Sequence, residues 1–82
     1  MTLMEFLSLT ESEQINTLYR HGVYVGKRKN GKFTVLLYQL ESFYSEVFYY
    51  SYRRHVYKIR CSDSTTILDP YLEQINVEYV MS

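Results

Sequence analysis

The sequence has no tryptophan, one proline, one cysteine and three glycines, and its nine Lys/Arg balance nine Asp/Glu. Each scarcity closes off a class of protein. With a single cysteine, Cys61, no disulfide can form within the chain, and a reducing compartment is expected. Zinc needs closely spaced Cys and His ligands, whereas Cys61, His21 and His55 are scattered, so no metal site is expected. Gly22, Gly26 and Gly31 open no helix, which leaves no phosphate-cradling loop and no expected cofactor. Zero formal net charge removes the global field that would draw in nucleic acid or an anionic membrane. No apolar run approaches the roughly 18 residues that a spanning helix needs. The stretch from Met1 to Leu9 carries Glu5 and does not read as a signal peptide. A cytoplasmic location follows as the expectation.

What the chain has in excess is tyrosine. Ten Tyr and four Phe bring the aromatic fraction to 17%. Tyr buries a large ring while keeping a polar tip, so it suits half-exposed surfaces as well as cores. Eighty-two residues make one domain, 1–82, near the size at which a single core only just suffices. Large rings filling a small core are therefore the plain reading of most of them.

The pattern along the chain predicts an α+β fold ordered helix, four-stranded antiparallel meander, helix. Leu3, Phe6 and Leu7, then Ile15, Leu18 and Tyr19, recur at helical spacing. This gives a short helical turn over 3–8 and a longer helix over 11–21. Thr10 with Glu13 fits a capping box, and His21-Gly22 a stop in which Gly takes the left-handed conformation. From Val23 the period becomes two. Strands are predicted over Val23–Lys29, Phe33–Leu40, Phe43–Tyr50 and Val56–Cys61, joined by Asn30-Gly31, Glu41-Ser42 and the polar loop Ser51–His55. Asp69-Pro70 reads as the start of a C-terminal helix whose apolar stripe is Leu72, Ile75, Tyr79 and Val80.

Tight turns fix strand register. An Asn30-Gly31 turn sets Val25 opposite Leu36 and Lys27 opposite Thr34. A Glu41-Ser42 turn sets Leu36 opposite Val47 and Leu40 opposite Phe43. One face then carries Val23, Val25, Leu36, Tyr38, Leu40, Phe43, Val47 and Tyr49, and Ile59 and Cys61 join it if the last loop has odd length. The other carries Tyr24, Phe33, Val35, Leu37, Tyr44, Phe48 and Tyr50, with Arg28, Glu46, Lys58 and Arg60 around them. An antiparallel sheet with one solvated face should be polar there. Either the terminal helices cover opposite faces, or the aromatic face is an interface for a second copy or another protein. The leading expectation is a non-catalytic interaction module that contacts its partner through Tyr24, Leu37, Tyr44, Phe48 and Tyr50.

Charge supplies the alternative. The first and third turns of a meander share one end of the sheet, so Lys27, Arg28, Lys29, Lys32, Arg53 and Arg54 would gather there, six of the nine basic residues, with His55 beside them. No Asp or Glu lies in either segment. Such an end could hold phosphates while Phe33, Tyr50 or Tyr52 stacks on bases, as in a nucleic-acid-binding accessory protein. The competing reading is a solvated hairpin tip that discourages edge aggregation.

Catalysis finds little support. A Cys61–His55 nucleophile pair would need a special loop geometry to meet, and Cys61 reads as a small buried hydrophobe. Glu11 and Glu13 are two apart on a helix and do not face each other. The segments Phe43–Tyr50 and Leu68–Ile75 resemble small proteins of gut bacteria and their mobile elements. That resemblance implies a bacterial accessory protein and carries over no functional residue.

Overall fold

The computed structural model describes residues 1–50 and 55–72. Helix α1 spans Leu3–Leu7 and α2 spans Glu11–His21; strands β1 Val23–Asn30, β2 Phe33–Leu40, β3 Phe43–Tyr50 and β4 Val56–Ser62 follow, then a 3₁₀ helix over Thr65–Tyr71. The architecture is α+β, with a four-stranded antiparallel meander in the order β1-β2-β3-β4.

Both helices begin with a capping box. Thr10 Oγ1 accepts from the Glu13 N–H at 3.2 Å while the Glu13 carboxylate accepts from the Thr10 N–H at 2.9 Å. Thr2 and Glu5 repeat the arrangement at 3.1 and 2.7 Å, which explains how a helix of five residues starts. These backbone donors hold the Glu5 and Glu13 carboxyls below their ordinary values. The α2 stop differs from the expected one. Gly22 lies in extended conformation, φ −76°, and its N–H donates to the Leu18 carbonyl at 2.9 Å. Glycine is needed for close approach instead, because a Cβ there would meet the Leu18 carbonyl oxygen at 2.6 Å.

The first hairpin also corrects the expected register. Asn30 pairs with Phe33, so the turn residues are Gly31-Lys32, with Gly31 at φ +61° in the first central position. Lys27 therefore faces Leu36 and Lys29 faces Thr34. The slip is two residues, and an even slip leaves every side chain on its face. The second hairpin matches the expectation, with Leu40 opposite Phe43 and Leu36 opposite Val47. Its first turn residue, Glu41, holds φ +55°, a conformation that Asn tolerates far better than Glu. Glu41→Asn is expected to raise stability by up to about 1 kcal/mol in urea denaturation; a loss would mean the Glu41 side chain stabilises more than its backbone costs.

Two β-bulges change faces that alternation alone assigns. In β1 the register jumps between Tyr24 and Gly26. Tyr24 consequently pairs with Tyr38 and packs its ring 6.0 Å from it, on the face opposite to the one expected. Val25 moves the other way and packs against the cluster of Leu37, Ile67 and Tyr71. In β4 the pairing jumps from Phe48–Lys58 to Tyr49–Val56, turning Tyr57 onto the face of Phe33 and Tyr50.

Both faces of the sheet are covered in part. Helices α1 and α2 close the first over Phe6, Leu18, Leu40, Phe43 and Val47, all buried, with Tyr38, Tyr49, Val56, Ile59 and Cys61 at the margin. A hydroxyl contact at 2.7 Å between Tyr19 and Tyr49 ties α2 to the sheet. The 3₁₀ helix covers part of the second face, burying Ile67 and Tyr71 on Leu37. It begins at Thr65, ahead of the expected Asp69-Pro70 start, because Ser64 Oγ caps it by accepting from the Thr66 N–H at 3.3 Å. Pro70 then lies inside it. Ile75, Tyr79 and Val80 of the expected C-terminal stripe lie outside the described residues.

One charged group is built into this second core. Glu46 is 1% exposed; its Oε2 accepts from Arg28 Nη2 at 3.0 Å, Arg28 Nε at 3.2 Å and the Tyr71 hydroxyl at 2.7 Å. The Arg28 guanidinium in turn sits 5.8 Å from the Phe48 ring centre and 5.7 Å from that of Tyr71. A buried carboxylate satisfied on three sides pins the 3₁₀ helix to one place on the sheet.

Candidate interaction surface

The meander brings the ends of two connections together. Phe33 leaves the first turn, Tyr50 enters the third connection, and the two are direct partners across β2 and β3. The Tyr50 N–H also bonds the His55 carbonyl at 3.0 Å, so β4 begins beside them. On the second face this end lies beyond the 3₁₀ helix, and four rings meet there. Phe33 and Tyr57 stack at 4.7 Å between centres and 21° between planes. Tyr50 lies 5.2 Å from Phe33 and 5.6 Å from Tyr57. Phe48 stands edge-on to Phe33 at 6.2 Å. Phe48 is buried, Phe33 and Tyr50 are half-buried, and Tyr57 is 50% exposed.

Cations border these rings. Lys32 Nζ lies 5.7 Å from the Phe33 centre and 5.8 Å from that of Tyr50. Lys58 Nζ lies 4.8 Å from Phe48 and 5.9 Å from Tyr57. Contacts of this length attract through the ring quadrupole, by about 0.5–1 kcal/mol at exposed sites. Arg60 shares the face, with its side chain 61% exposed and its Nε 3.9 Å from Glu46. The four strands contain one acid, Glu46, and it is already paired internally.

The expected contact residues are redistributed by this geometry. Leu37 is fully buried beneath Ile67 and Tyr71, and Phe48 is 3% exposed, so neither can form a contact surface in the folded chain. Tyr44 is half-buried against the same cluster. Tyr24 is 55% exposed but on the helix-bearing face. Of the five, Phe48 and Tyr50 belong to the ring cluster, and only Tyr50 is left part-exposed there by the described residues. Among the expected basic contacts, Lys32 borders the rings. Lys27 and Lys29 pair with Leu36 and Thr34 on the other face, and Lys29 Nζ donates to Thr34 Oγ1 at 3.1 Å. Arg28 is engaged by Glu46. Tyr52, Arg53 and Arg54 lie outside the described residues. Sequence reasoning missed Tyr57 because alternation groups it with Ile59 and Cys61, and only the bulge turns it over.

The cysteine and histidine do not form a pair. Cys61 lies opposite Ser45, with Oγ and Sγ 3.2 Å apart, whereas His55 precedes β4 at its far end. Six residues of strand separate them by about 20 Å. Burial pushes the Cys61 thiol up, only partly offset by Ser45, away from the thiolate that a nucleophile requires. Among the described residues there is no group of three or more His, Cys, Asp and Glu that could hold a metal ion, and no helix long and apolar enough to cross a membrane.

Among the described residues, geometry thus defines an α+β fold with one aromatic sheet surface left partly uncovered and bordered by cations. Comparison with protein-family models, curated proteins and solved structures finds no match.

Proposed function

We infer that this protein is a non-catalytic interaction module whose contact surface is the uncovered cluster of Phe33, Tyr50 and Tyr57. The observation that carries the reading is Tyr57: a ring stacked at 4.7 Å on Phe33 yet 50% exposed, on a sheet face whose other rings are buried or half-buried. Rigid, half-exposed tyrosines are the groups that dominate contact energetics elsewhere.

The charge around the rings argues against a second copy as the partner. In a two-fold dimer the same patch meets itself, which would set Lys32, Lys58 and Arg60 against Lys32, Lys58 and Arg60. Repulsion of this kind opposes closure most strongly at low salt. A monomer by light scattering at low salt is the corresponding expectation. A dimer stable there and unaffected by Tyr57→Glu would place the interface elsewhere.

A test needing no partner asks what Tyr57 contributes to the fold. A ring retained for contact should be dispensable for folding. Tyr57→Thr is expected to change the unfolding free energy by less than about 1 kcal/mol in urea titration. A loss of about 3 kcal/mol or more, the size expected of a core ring, would make the cluster a third core and remove the reading.

A further inference from the structure

We propose that the partner at this surface is single-stranded nucleic acid, with unpaired bases stacking on Tyr57 and its neighbours and phosphates held by Lys32, Lys58 and Arg60. This rests on the interaction-module reading and adds the chemistry of the partner. The surface presents two kinds of group side by side: flat π-faces and exposed cations within 6 Å of them. A single strand presents the complementary pair, exposed base faces alternating with phosphates. An acidic peptide would satisfy the cations and leave the rings unused. A duplex offers phosphates, but its bases are already stacked on one another and cannot reach Tyr57.

Lys32 and Lys58 are also free to serve, and the exposed Arg60 side chain has only a 3.9 Å ion pair with Glu46 to exchange. Lys32 and Lys58 are exposed, and their ring contacts are weak enough to be exchanged for a phosphate at little cost. Arg28 is different: its bonds to buried Glu46 keep it in the fold, so it counts as scaffold. Lys32, Lys58 and Arg60, the three exposed cations of this face among the described residues, predict a single-strand salt slope of about −2, from roughly −0.7 per neutralised phosphate. Affinity should then fall about 20-fold between about 50 and 200 mM salt.

The test is fluorescence anisotropy with a labelled oligothymidylate of about twelve nucleotides, within the range one small module occupies. The wild-type protein is expected to bind with that salt slope, and at least tenfold more tightly than it binds a duplex of equal length. Tyr57→Ala should weaken binding about tenfold, since one stacked base is worth a factor of roughly 5 to 150. Lys32→Ala with Lys58→Ala should reduce the salt slope by about 1.4. Circular dichroism checks that each variant retains its sheet. Absence of binding at low salt, equal affinity for duplex, or binding indifferent to Tyr57→Ala would overturn the proposal. Tighter binding of a polyglutamate peptide than of the oligonucleotide would overturn it in favour of an acidic protein partner. In any of these cases a small stability change in Tyr57→Thr would leave the interaction-module reading standing, whereas a core-sized loss would remove both.

Discussion

Glu46→Ala is expected to destabilise the protein by about 3 kcal/mol or more at neutral pH, the cost of leaving one half of a buried ion pair behind. The carboxylate is 1% exposed and accepts from both Arg28 and Tyr71. Its removal strands the Arg28 guanidinium between Phe48 and Tyr71 and leaves the buried Tyr71 hydroxyl without its acceptor. Glu46→Gln keeps one carbonyl acceptor but not the charge, so its loss should be smaller. Tyr71→Phe keeps the ion pair and gives up one hydrogen bond to a charged group, worth about 1.5–3 kcal/mol. Urea denaturation of the three variants should therefore rank Ala above Gln in loss, with signals of the 3₁₀ helix most affected. A change under about 1 kcal/mol in Glu46→Ala would show that the triad does not hold the second face together.

The same triad sets an alkaline limit. Burial, then the hydrogen bond to Glu46, raise the Tyr71 phenol well above its ordinary value. Burial and Tyr19 do the same for Tyr49 on the other face. In the unfolded chain both phenols titrate near pH 10. Stability from these raised values is thus complete below about pH 10 and is lost as pH climbs through the folded-state values. Tyr71→Phe should lessen that alkaline loss, and Tyr49 should account for part of what remains.

Phe43→Ala carries the second large effect, about 3–5 kcal/mol, as for other fully buried rings cut back to a methyl group. Phe43 opens β3 directly after the tight turn and meets Phe6 of α1 at 5.4 Å between ring centres. It joins the short first helix to the sheet, and a helix of five residues is too short to persist without tertiary packing of this kind. A domain of this size has only about 5–15 kcal/mol in total, so much of the population should unfold on mild heating. Phe43→Leu, which refills most of the volume, is expected to recover most of the stability in the same thermal melts. A Phe43→Ala protein with an unchanged melting temperature would contradict the packing of α1 described above.

Much of this fold was legible because local signals agreed with one another. Thr10 and Glu13 marked the start of α2, and alternation from Phe33 to Tyr50 marked β2, β3 and the turn between them. What escaped were single-residue insertions. A bulge leaves no trace in composition, yet at Val25 it carried Tyr24 to the helix-bearing face, and before Lys58 it delivered Tyr57 to the ring cluster. The error at Asn30-Gly31 was harmless to face assignment because it was even. The aromatic second face and its basic neighbours could be read from sequence. Which rings the 3₁₀ helix would cover could not, since that depends on Tyr71 reaching Glu46 across 25 residues.

The proposed single-strand site is the ring cluster at the turn end, around Phe33, Tyr50 and Tyr57. Titrating isotopically labelled protein with oligothymidylate, and following its amide signals by nuclear magnetic resonance, tests this residue by residue. Shifts concentrated at Gly31–Thr34, Phe48–Tyr50 and Val56–Arg60, with α2 silent, are the predicted result. Shifts centred on α2, or none at concentrations well above those of the anisotropy experiment, would contradict it.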